Sequence, residues 1–217
     1  GMLMTDDATI YQRAIAFAHY SRHHLLEDPE LKRYAGVPLG GLKGRLNQTC
    51  ASMGRVQLKY YPERIKEIQA AMNRFWDLLE ETPGIRAHRP AADSGSTMGG
   101  WYTARGLYRA EELGGLSCAN FCEAIRAEGV GDCWPGASAP LHLHPVLNDA
   151  DIYGDGKPTR IANSDRDLRQ PEGSLPVSEN IRQIAFGIPW FKHDRPEFIE
   201  EYALAFRKVA EHADELV

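Results

Sequence analysis

The most regular hydrophobic pattern in this chain lies between Pro62 and Pro83. Five apolar residues recur there at intervals of three or four positions: Ile65, Ile68, Met72, Phe75 and Leu79. This spacing places the apolar side chains on one face of a helix, and the Pro83-Gly84 pair ends that helix. Because only about two heptads are present, the pattern predicts packing within one domain and not a coiled coil.

The N-terminal segment, residues 6–26, is predicted to form the first helix. Asp6 and Asp7 suit a helix N-terminus. The apolar residues that follow keep a near-helical spacing: Ile10, Ala14, Phe17, Ala18 and Tyr20. Residues 27–43 lose this periodicity and contain prolines and a pair of glycines, which is typical of a connecting loop with at most a short helical turn.

A second helix is predicted to begin near Asn47 or Thr49, since either residue suits an N-cap. Its apolar side contains Met53, Val56 and Leu58. At Tyr60-Tyr61-Pro62 the proline removes a backbone donor, so we expect a kink or a break before the long helix.

After Gly84 the pattern changes to short segments of alternating, aromatic and β-branched character. They predict strands within residues 85–90, 100–108, 130–134 and 185–190. A helix capped by Ser117 and ending at Gly129 lies between the second and third of these strands. Residues 135–176 are rich in proline, glycine and aspartate and predict a surface excursion. A terminal amphipathic helix is predicted from Phe198, Tyr202, Phe206, Val209 and Ala213.

The composition is that of a globular domain, or of one domain with a helical arm. Hydrophobic residues make up 43% and charged residues 25% of the 217 positions. No apolar run approaches the roughly 20 residues that span a membrane, so we expect no membrane insertion. A net charge of -5 gives no reason to attract nucleic acid. A secretory signal is absent from the start of the sequence, and the expected location is cytoplasmic.

Three pairs of side chains have the spacing of a partial metal site: Cys118 with Cys122, His142 with His144, and His19 with His23. The two cysteines can share a metal with two histidines, whereas no third ligand is evident beside His142 and His144, and His19 and His23 form only a possible two-ligand face. Small buried side chains explain the cysteines more simply, and a solvated helix end explains the histidines around His19, including His24. We therefore predict no metal site. Because the four cysteines form no C-x-x-C pair, we expect reduced thiols.

Several motifs follow one another in a specific order. They are Arg45-Leu46-Asn47, Met53-Gly54-Arg55-Val56-Gln57-Leu58, Pro140-Leu141-His142-Leu143-His144-Pro145, Leu175-Pro176 and Phe186 to Trp190. This order resembles the DegT/DnrJ/EryC1/StrS family of pyridoxal-phosphate-dependent sugar aminotransferases. The resemblance implies an α/β (α+β) fold, the C-terminal small domain of a fold-type I transferase, in which a short sheet packs with helices after a helical arm. It divides the chain into an N-terminal helix and connecting loop, residues 1–46, and the small domain, residues 47–217.

The resemblance also implies roles for three residues. Asn47 matches the asparagine that reaches the cofactor phosphate of the neighbouring subunit, and it also suits a helix cap. Arg45 lies beside that site, where it can pair with phosphate or carboxylate or form an ordinary surface ion pair. His142 matches a position on the substrate side of the family's active site, where it can hydrogen-bond or exchange protons with a sugar amine or ketone. Alternatively, His142 is a partly buried histidine with a packing role only.

The Schiff-base lysine of the family has no match here. In the family a G-G-x-L-x-T-D-D segment follows the lysine-bearing loop, and Gly1 to Asp7 resembles that segment at the start of this sequence. None of the seven lysines has the family's context. Lys43 and Lys157 are possible substitutes, although loop lysines are ordinarily solvated. The resemblance therefore implies no catalytic residue in this chain and no covalently held pyridoxal phosphate when the chain is alone.

Two functions remain open. In the first, the chain is the C-terminal portion of an aminotransferase, inactive alone, and a separate large-domain polypeptide supplies lysine and cofactor for amino transfer from glutamate or glutamine to a keto-sugar or related ketone. In the second, it is a stand-alone remnant that serves as a non-catalytic binding or interaction module. In both cases a separated piece exposes apolar helices, so we expect a homo-oligomer, a dimer.

Overall fold

A computed structural model describes residues 3–18, 20–33 and 46–217 of the chain. The α-helices are α1 (Ala8–Ala18), α2 (Pro29–Lys32), α3 (Gln48–Leu78), α4 (Cys118–Ala127), α5 (Pro145–Asn148), α6 (Pro176–Glu179), α7 (Ile181–Ile184) and α8 (Pro196–Glu211). The strands are β1 (Ile85–Ala87), β2 (Arg105–Tyr108) and β3 (Ala185–Gly187). Short 3₁₀ helices cover Tyr20–Leu25, Ala110–Leu113, Leu141–Leu143, Thr159–Ile161 and Ala213–Glu215. The chain divides into two compact units, residues 1–61 and 62–217.

The first unit has a small core of its own around α1. Asp7 caps this helix, because its Oδ1 atom accepts hydrogen bonds from the backbone N–H groups of Thr9 (2.7 Å) and Ile10 (3.0 Å). The start and type of the first helix are therefore confirmed. The core contains Ile15, Ala16 and Leu26, with Leu31 packed against it.

The buried face of α1 differs from the predicted stripe. Ile10 and Phe17 belong to that stripe and are exposed, whereas Gln12 is buried. The reason is the segment that returns after α1: the Oε1 atom of Gln12 accepts a hydrogen bond from the backbone N–H of Glu27 at 2.7 Å. This return places Leu26 against the other side of the helix, and the local pattern could not show which side would be covered.

Helix α3 begins as predicted but does not break. The Oδ1 atom of Asn47 accepts a hydrogen bond from the backbone N–H of Thr49 at 2.8 Å, which confirms Asn47 as a helix cap. Of the predicted kink or break at Pro62, the break is wrong, since the helix continues through this residue to Leu78. Pro62 and Leu58 are both exposed, so water can satisfy the carbonyl group that loses its partner.

The second unit is built on the stripe that the sequence predicted. Ile68, Met72, Phe75 and Leu79 are all buried. The ring centroids of Phe75 and Phe206 are 5.3 Å apart, which joins α3 to α8. The ring of Phe121 on α4 lies 5.7 Å from that of Phe186 on β3, and these rings form the core with Phe206. The core therefore joins three helices to one face of the sheet.

The sheet has three antiparallel strands in the order β1-β2-β3. Gly106 in the central strand pairs with Ala87 on one side and with Phe186 on the other. A Cβ atom at Gly106 would lie 2.4 Å from the Cζ atom of Phe186, so only glycine permits this close packing. The predicted sheet with packed helices is confirmed.

Helix α4 follows the prediction closely, and the strand expected after it is wrong. The Oγ atom of Ser117 accepts a hydrogen bond from the backbone N–H of Asn120, and Cys118 and Cys122 are buried, as the amphipathic pattern indicated. Residues 130–134 form no strand; only the following Pro135 makes a single antiparallel bridge, to Phe186. A proline has no N–H to extend such a ladder.

The first half of α3 exposes its apolar side chains. Met53, Val56 and Leu58 are exposed at 58, 60 and 69%, and Tyr60 and Tyr61 are more than half exposed. Among the described residues, no helix combines the length and hydropathy that crossing a bilayer requires.

Candidate functional site

The most informative polar contact joins His142 to Glu179. His142 lies in the short 3₁₀ helix Leu141–Leu143 and is only 7% exposed. Its Nε2 atom lies 2.8 Å from the Oε1 atom of Glu179, the last residue of α6. The side-chain amide of Asn148 donates a hydrogen bond to the backbone carbonyl of His142. The imidazole and its backbone are therefore both held in place.

The hydrogen bonds around Glu179 favour the ionised form of its side chain. Its two oxygen atoms accept hydrogen bonds from the backbone N–H groups of Leu175 (3.0 Å) and Gly173 (2.7 Å), in addition to the contact with His142. The N–H of Leu175, then His142, then the N–H of Gly173 lower the pKa of Glu179 below its usual value. An ionised partner at Nε2 favours the proton of His142 on that nitrogen, which leaves Nδ1 to interact with another molecule.

A cavity of about 540 Å³ adjoins this pair. Its lining is mostly apolar and includes His142, with Thr159 and Arg160 as the other polar members. Leu141 and Leu175, which flank the pair along the chain, also contribute. An apolar cavity with a few oriented polar groups is the usual form of a small-molecule site.

The two histidines of the H-x-H motif have different surroundings. His144 is exposed, and its Nδ1 atom accepts a hydrogen bond from the backbone N–H of Val146 at 3.2 Å, so it caps α5. The segment is helical and not extended, so the motif does not place both rings on one strand face. Among residues 3–18, 20–33 and 46–217, no group of three or more potential metal ligands is found.

The side-chain amide of Asn47 uses one of its two polar atoms within the described structure. Its Oδ1 atom is occupied by the helix cap, whereas its Nδ2 atom has no hydrogen-bond partner within the described part of the chain. The amide nitrogen can therefore donate to a phosphate while the oxygen caps the helix. Asn47 and His142 belong to different units, and each is described by itself. Arg45, the third predicted site residue, lies outside the described residues.

The lysines that the structure describes are all exposed: Lys32, Lys59, Lys66, Lys157, Lys192 and Lys208. Lys157, one of the two possible substitutes for a cofactor lysine, is among them, and Lys43 lies outside the described residues. Around the first helix, His19 is likewise outside them. His23 is not solvated as predicted; it is buried, with its Nε2 atom 3.2 Å from the carbonyl oxygen of Ala16.

The sequence reasoning missed Glu179 and Asn148. Glu179 lies 37 positions from His142, and neither residue has a periodicity that indicates a shared site. One signal was available: Glu179 follows the Leu175-Pro176 motif by three residues, at the end of a short segment that starts with a helix-initiating proline.

A family model for the DegT/DnrJ/EryC1/StrS aminotransferase family matches residues 1–185. The chain belongs to this family. The match covers most of the chain and includes both Asn47 and His142, and it confirms the family resemblance seen in the ordered motifs. A sequence comparison with functionally characterised proteins finds no match.

Solved aminotransferase structures share the fold of this family member. An aminotransferase from Psychrobacter cryohalolentis matches with a TM-score of 0.68 at 17% identity, covering 97% of this chain and 51% of that one. DesI, solved in the presence of its TDP-sugar product, matches with a TM-score of 0.65 at 22% identity, covering 98% and 46%. S. venezuelae DesV, in complex with a ketimine intermediate, matches with a TM-score of 0.56 at 21% identity, covering 86% and 46%.

These similarities confirm the expected fold class, that of a partial C-terminal domain of a fold-type I aminotransferase. The chain spans about half the length of the solved structures that it matches.

Proposed function

We propose that this chain forms the small-domain side of a pyridoxal-phosphate-dependent aminotransferase that acts on a keto-sugar or a related ketone. The observation that carries the proposal is the His142–Glu179 pair beside an apolar cavity, in a chain of this family. Two structural neighbours support it: DesI was solved in the presence of its TDP-sugar product, and DesV in complex with a ketimine intermediate. The amino donor is glutamate or glutamine.

His142 contacts the substrate in this proposal. Its Nε2 atom is engaged by Glu179, so Nδ1 is the atom that accepts a hydrogen bond from a sugar hydroxyl or amine. The apolar residues of the adjoining cavity exclude water from the contact, which strengthens it. The half-buried carboxylate of Glu179 keeps the imidazole in one orientation before the substrate binds.

Asn47 binds the cofactor phosphate of a neighbouring subunit. Support comes from the two polar atoms of its side chain, because the oxygen caps α3 and the nitrogen is available as a hydrogen-bond donor. The N-terminus of a long helix adds a partial positive charge that favours phosphate at this position. Arg45, two residues earlier, completes the phosphate contact as a cation.

Within the described residues, Asn47 fits the phosphate of pyridoxal phosphate, and no lysine there fits its covalent attachment. A Schiff-base lysine needs a sheltered environment that lowers its proton affinity, and the six described lysines are all exposed. We propose that a large-domain polypeptide supplies this lysine. When bound, pyridoxal phosphate supplies the electron sink for amino transfer, and this chain binds and orients the reactants around it.

The exposed apolar residues of α3 support association. Met53, Val56, Leu58 and the two tyrosines that follow expose an apolar surface on the first half of α3. We propose that this surface is covered in a homodimer. Val56→Lys is expected to shift the chain toward monomer in light scattering. Val177→Lys, at an exposed valine outside α3, is the matched control and is expected to leave the mass unchanged.

The same surface favours a second candidate function, a non-catalytic module that oligomerises and binds a partner. The test is to titrate the chain with pyridoxal phosphate, alone and with a large-domain polypeptide of the family, and to follow the absorbance of bound cofactor and amino transfer to a keto-sugar. Binding and activity only in the mixture support the aminotransferase. A stable dimer that shows neither cofactor binding nor amino transfer in either titration supports the non-catalytic module. Covalent binding of pyridoxal phosphate by the chain alone refutes the assignment of the lysine to another polypeptide.

A further inference from the structure

The cavity of about 540 Å³ beside His142 has polar groups from two separate segments of the chain. His142 and Arg160 both line it, and they lie in two different 3₁₀ helices. The hydroxyl oxygen of Thr159, the third polar member of the lining, accepts a hydrogen bond from the backbone N–H of Ile152 at 2.8 Å. The separation and orientation of the imidazole and the guanidinium therefore decide which ligand can contact both.

Asn148, which is not one of the lining residues, joins these two groups. Its side-chain amide nitrogen donates a hydrogen bond to the backbone carbonyl of His142. Its amide oxygen accepts a hydrogen bond from Nη1 of Arg160 at 3.3 Å. The two polar atoms of one amide therefore connect two polar members of the cavity wall that come from different segments.

The partners of Asn148 determine the orientation of its amide. A backbone carbonyl can only accept a hydrogen bond, and a guanidinium can only donate one. The reverse orientation would place the amide oxygen against the carbonyl of His142 and the amide nitrogen against the guanidinium of Arg160. Aspartate has the same shape and lacks the donor, whereas alanine lacks both groups. The two contacts together therefore require the amide of asparagine.

The backbone of Asn148 is also held by hydrogen bonds. Its N–H donates to the carbonyl oxygen of His144 at 3.1 Å, and its carbonyl oxygen accepts from Nη1 of Arg169 at 3.2 Å. Arg169 in turn forms an ion pair with Asp167, at 2.7 Å from Nη2. A short side chain on a fixed backbone can hold its partners in one position.

We propose that Asn148 is a positioning residue that sets the places of the His142 imidazole and the Arg160 guanidinium on the cavity wall. This role rests on the proposed function, in which His142 contacts the substrate. Glu179 holds the ring of His142 and Asn148 holds its backbone, so together they fix the direction of Nδ1. Nε and Nη2 of Arg160 have no hydrogen-bond partner among the described residues, and Asn148 orients these donors. A ligand binds such groups with less loss of freedom, because they are already ordered.

The test observes the two side chains separately by NMR, in the full chain labelled with ¹⁵N-histidine and ¹⁵N-arginine. Asn148→Asp keeps the acceptor for Arg160 and removes the donor to His142, whereas Asn148→Ala removes both. In both variants we expect the imidazole resonances of His142 to broaden, because the ring samples more than one position. The resolved guanidinium resonance of Arg160 is expected to persist in Asn148→Asp, where the pair becomes charge-assisted, and to be lost in Asn148→Ala.

A purely structural role of Asn148 predicts a different pattern. General loosening of the fold would change both side chains together in both variants, without the separation expected for Asn148→Asp. Asn163→Ala is the matched control, since Asn163 is exposed and makes no side-chain hydrogen bond within the described residues. It is expected to keep both sets of resonances. His142→Gln and Arg160→Lys assign the resonances to their residues.

Each outcome supports or overturns the positioning role. Sharp His142 resonances in both Asn148 variants overturn it, and so does the same loss of the Arg160 resonance in Asn148→Asp as in Asn148→Ala. If Asn148→Ala does not fold, Asn148→Asp alone decides, because only a divided amide predicts a broadened His142 beside an unchanged Arg160.

Amino transfer is measured separately, in the mixture of the chain with a large-domain polypeptide of the family. In an active mixture, Asn148→Ala is expected to lower kcat/KM about tenfold, the effect of one lost hydrogen bond, and Asn163→Ala is expected to match the wild type. A kcat/KM for Asn148→Ala equal to that of the wild type overturns the positioning role. An inactive wild-type mixture refutes the proposed function, whereas the NMR result on the chain alone still decides whether Asn148 holds the two side chains.

Discussion

The Nε2 atom of His142 and the Oε1 atom of Glu179 lie 2.8 Å apart, and this contact links two ends of the surface excursion. Between them lie α5, the 3₁₀ helix Thr159–Ile161 and the turn that contains Gly173. Glu179 also accepts backbone hydrogen bonds from Gly173 and Leu175. One carboxylate therefore holds the histidine and the end of the excursion together, which explains how a segment with little regular structure can form a site.

We expect Glu179→Gln to lower the thermal midpoint at neutral pH, with a smaller effect in acid. The pKa of Glu179 is lower in the folded chain than in the unfolded chain, chiefly because of the N–H of Leu175. Its contribution to stability is therefore present above the unfolded pKa and is lost as the pH falls through the folded pKa. The measurement is thermal unfolding of both proteins from about pH 7 to about pH 3, a range that spans the ordinary glutamate pKa.

The control for this experiment is Glu172→Gln, since Glu172 is exposed and makes no hydrogen bond or ion pair within the described residues. It is expected to follow the wild type at every pH. A difference between Glu179→Gln and the wild type that stays constant across the whole range would contradict the role of the ionised carboxylate.

Asn47→Asp is expected to separate the two functions of this side chain. Aspartate caps a helix as well as asparagine does, so the thermal midpoint should not fall. It has no amide donor and carries a charge that repels phosphate, so the assembled enzyme should bind pyridoxal phosphate at least about tenfold more weakly. Cofactor titration and thermal unfolding of the same samples measure both effects.

Asn47→Ala is the companion variant, because it removes the cap as well as the donor. It is expected to lose about 1 kcal/mol of helix stability in addition to the cofactor contact. Unchanged cofactor affinity in Asn47→Asp would show that the amide does not reach the phosphate.

Gly106→Ala is expected to destabilise the second unit by about 1–3 kcal/mol through overpacking. The added Cβ atom would lie 2.4 Å from the ring of Phe186 and 2.8 Å from the ring of Trp76, and both rings are buried. Urea unfolding measures the difference. Gly131→Ala adds the same methyl group where no atom lies within 4 Å, and its effect is expected to stay within about 0.5 kcal/mol. Equal effects at the two positions would rule out the steric explanation.

We expect one fast-reacting thiol in the native chain. Cys50 is exposed, whereas Cys118, Cys122 and Cys133 are buried. A hydrogen bond with Cys122, together with burial, raises the pKa of Cys118, so its reactive thiolate form is disfavoured. Titration with a chromogenic disulfide reagent should give one fast equivalent and three more after denaturation. In Cys50→Ser the fast equivalent should disappear, and fast labelling that persists in this variant would refute the burial of the other three.

The sequence by itself determined the local elements and the family. The spacing from Ile68 to Leu79 predicted the core helix, because a helical period repeats within one segment and needs no distant partner. Ser117 was identified as a cap for the same reason, and the alternatives Asp6 or Asp7 and Asn47 or Thr49 included the caps at Asp7 and Asn47, since a cap bonds to N–H groups only two or three residues away. The ordered motifs identified the family.

The tertiary structure decided which surfaces meet. The return of the chain at Glu27 selected the buried face of α1, and solvent at Pro62 allowed α3 to continue where the backbone chemistry predicted a break. The contact between His142 and Glu179 spans 37 residues, and the contact between Asn148 and Arg169 spans 21. Such contacts depend on the packing of distant segments, which a short sequence window does not contain.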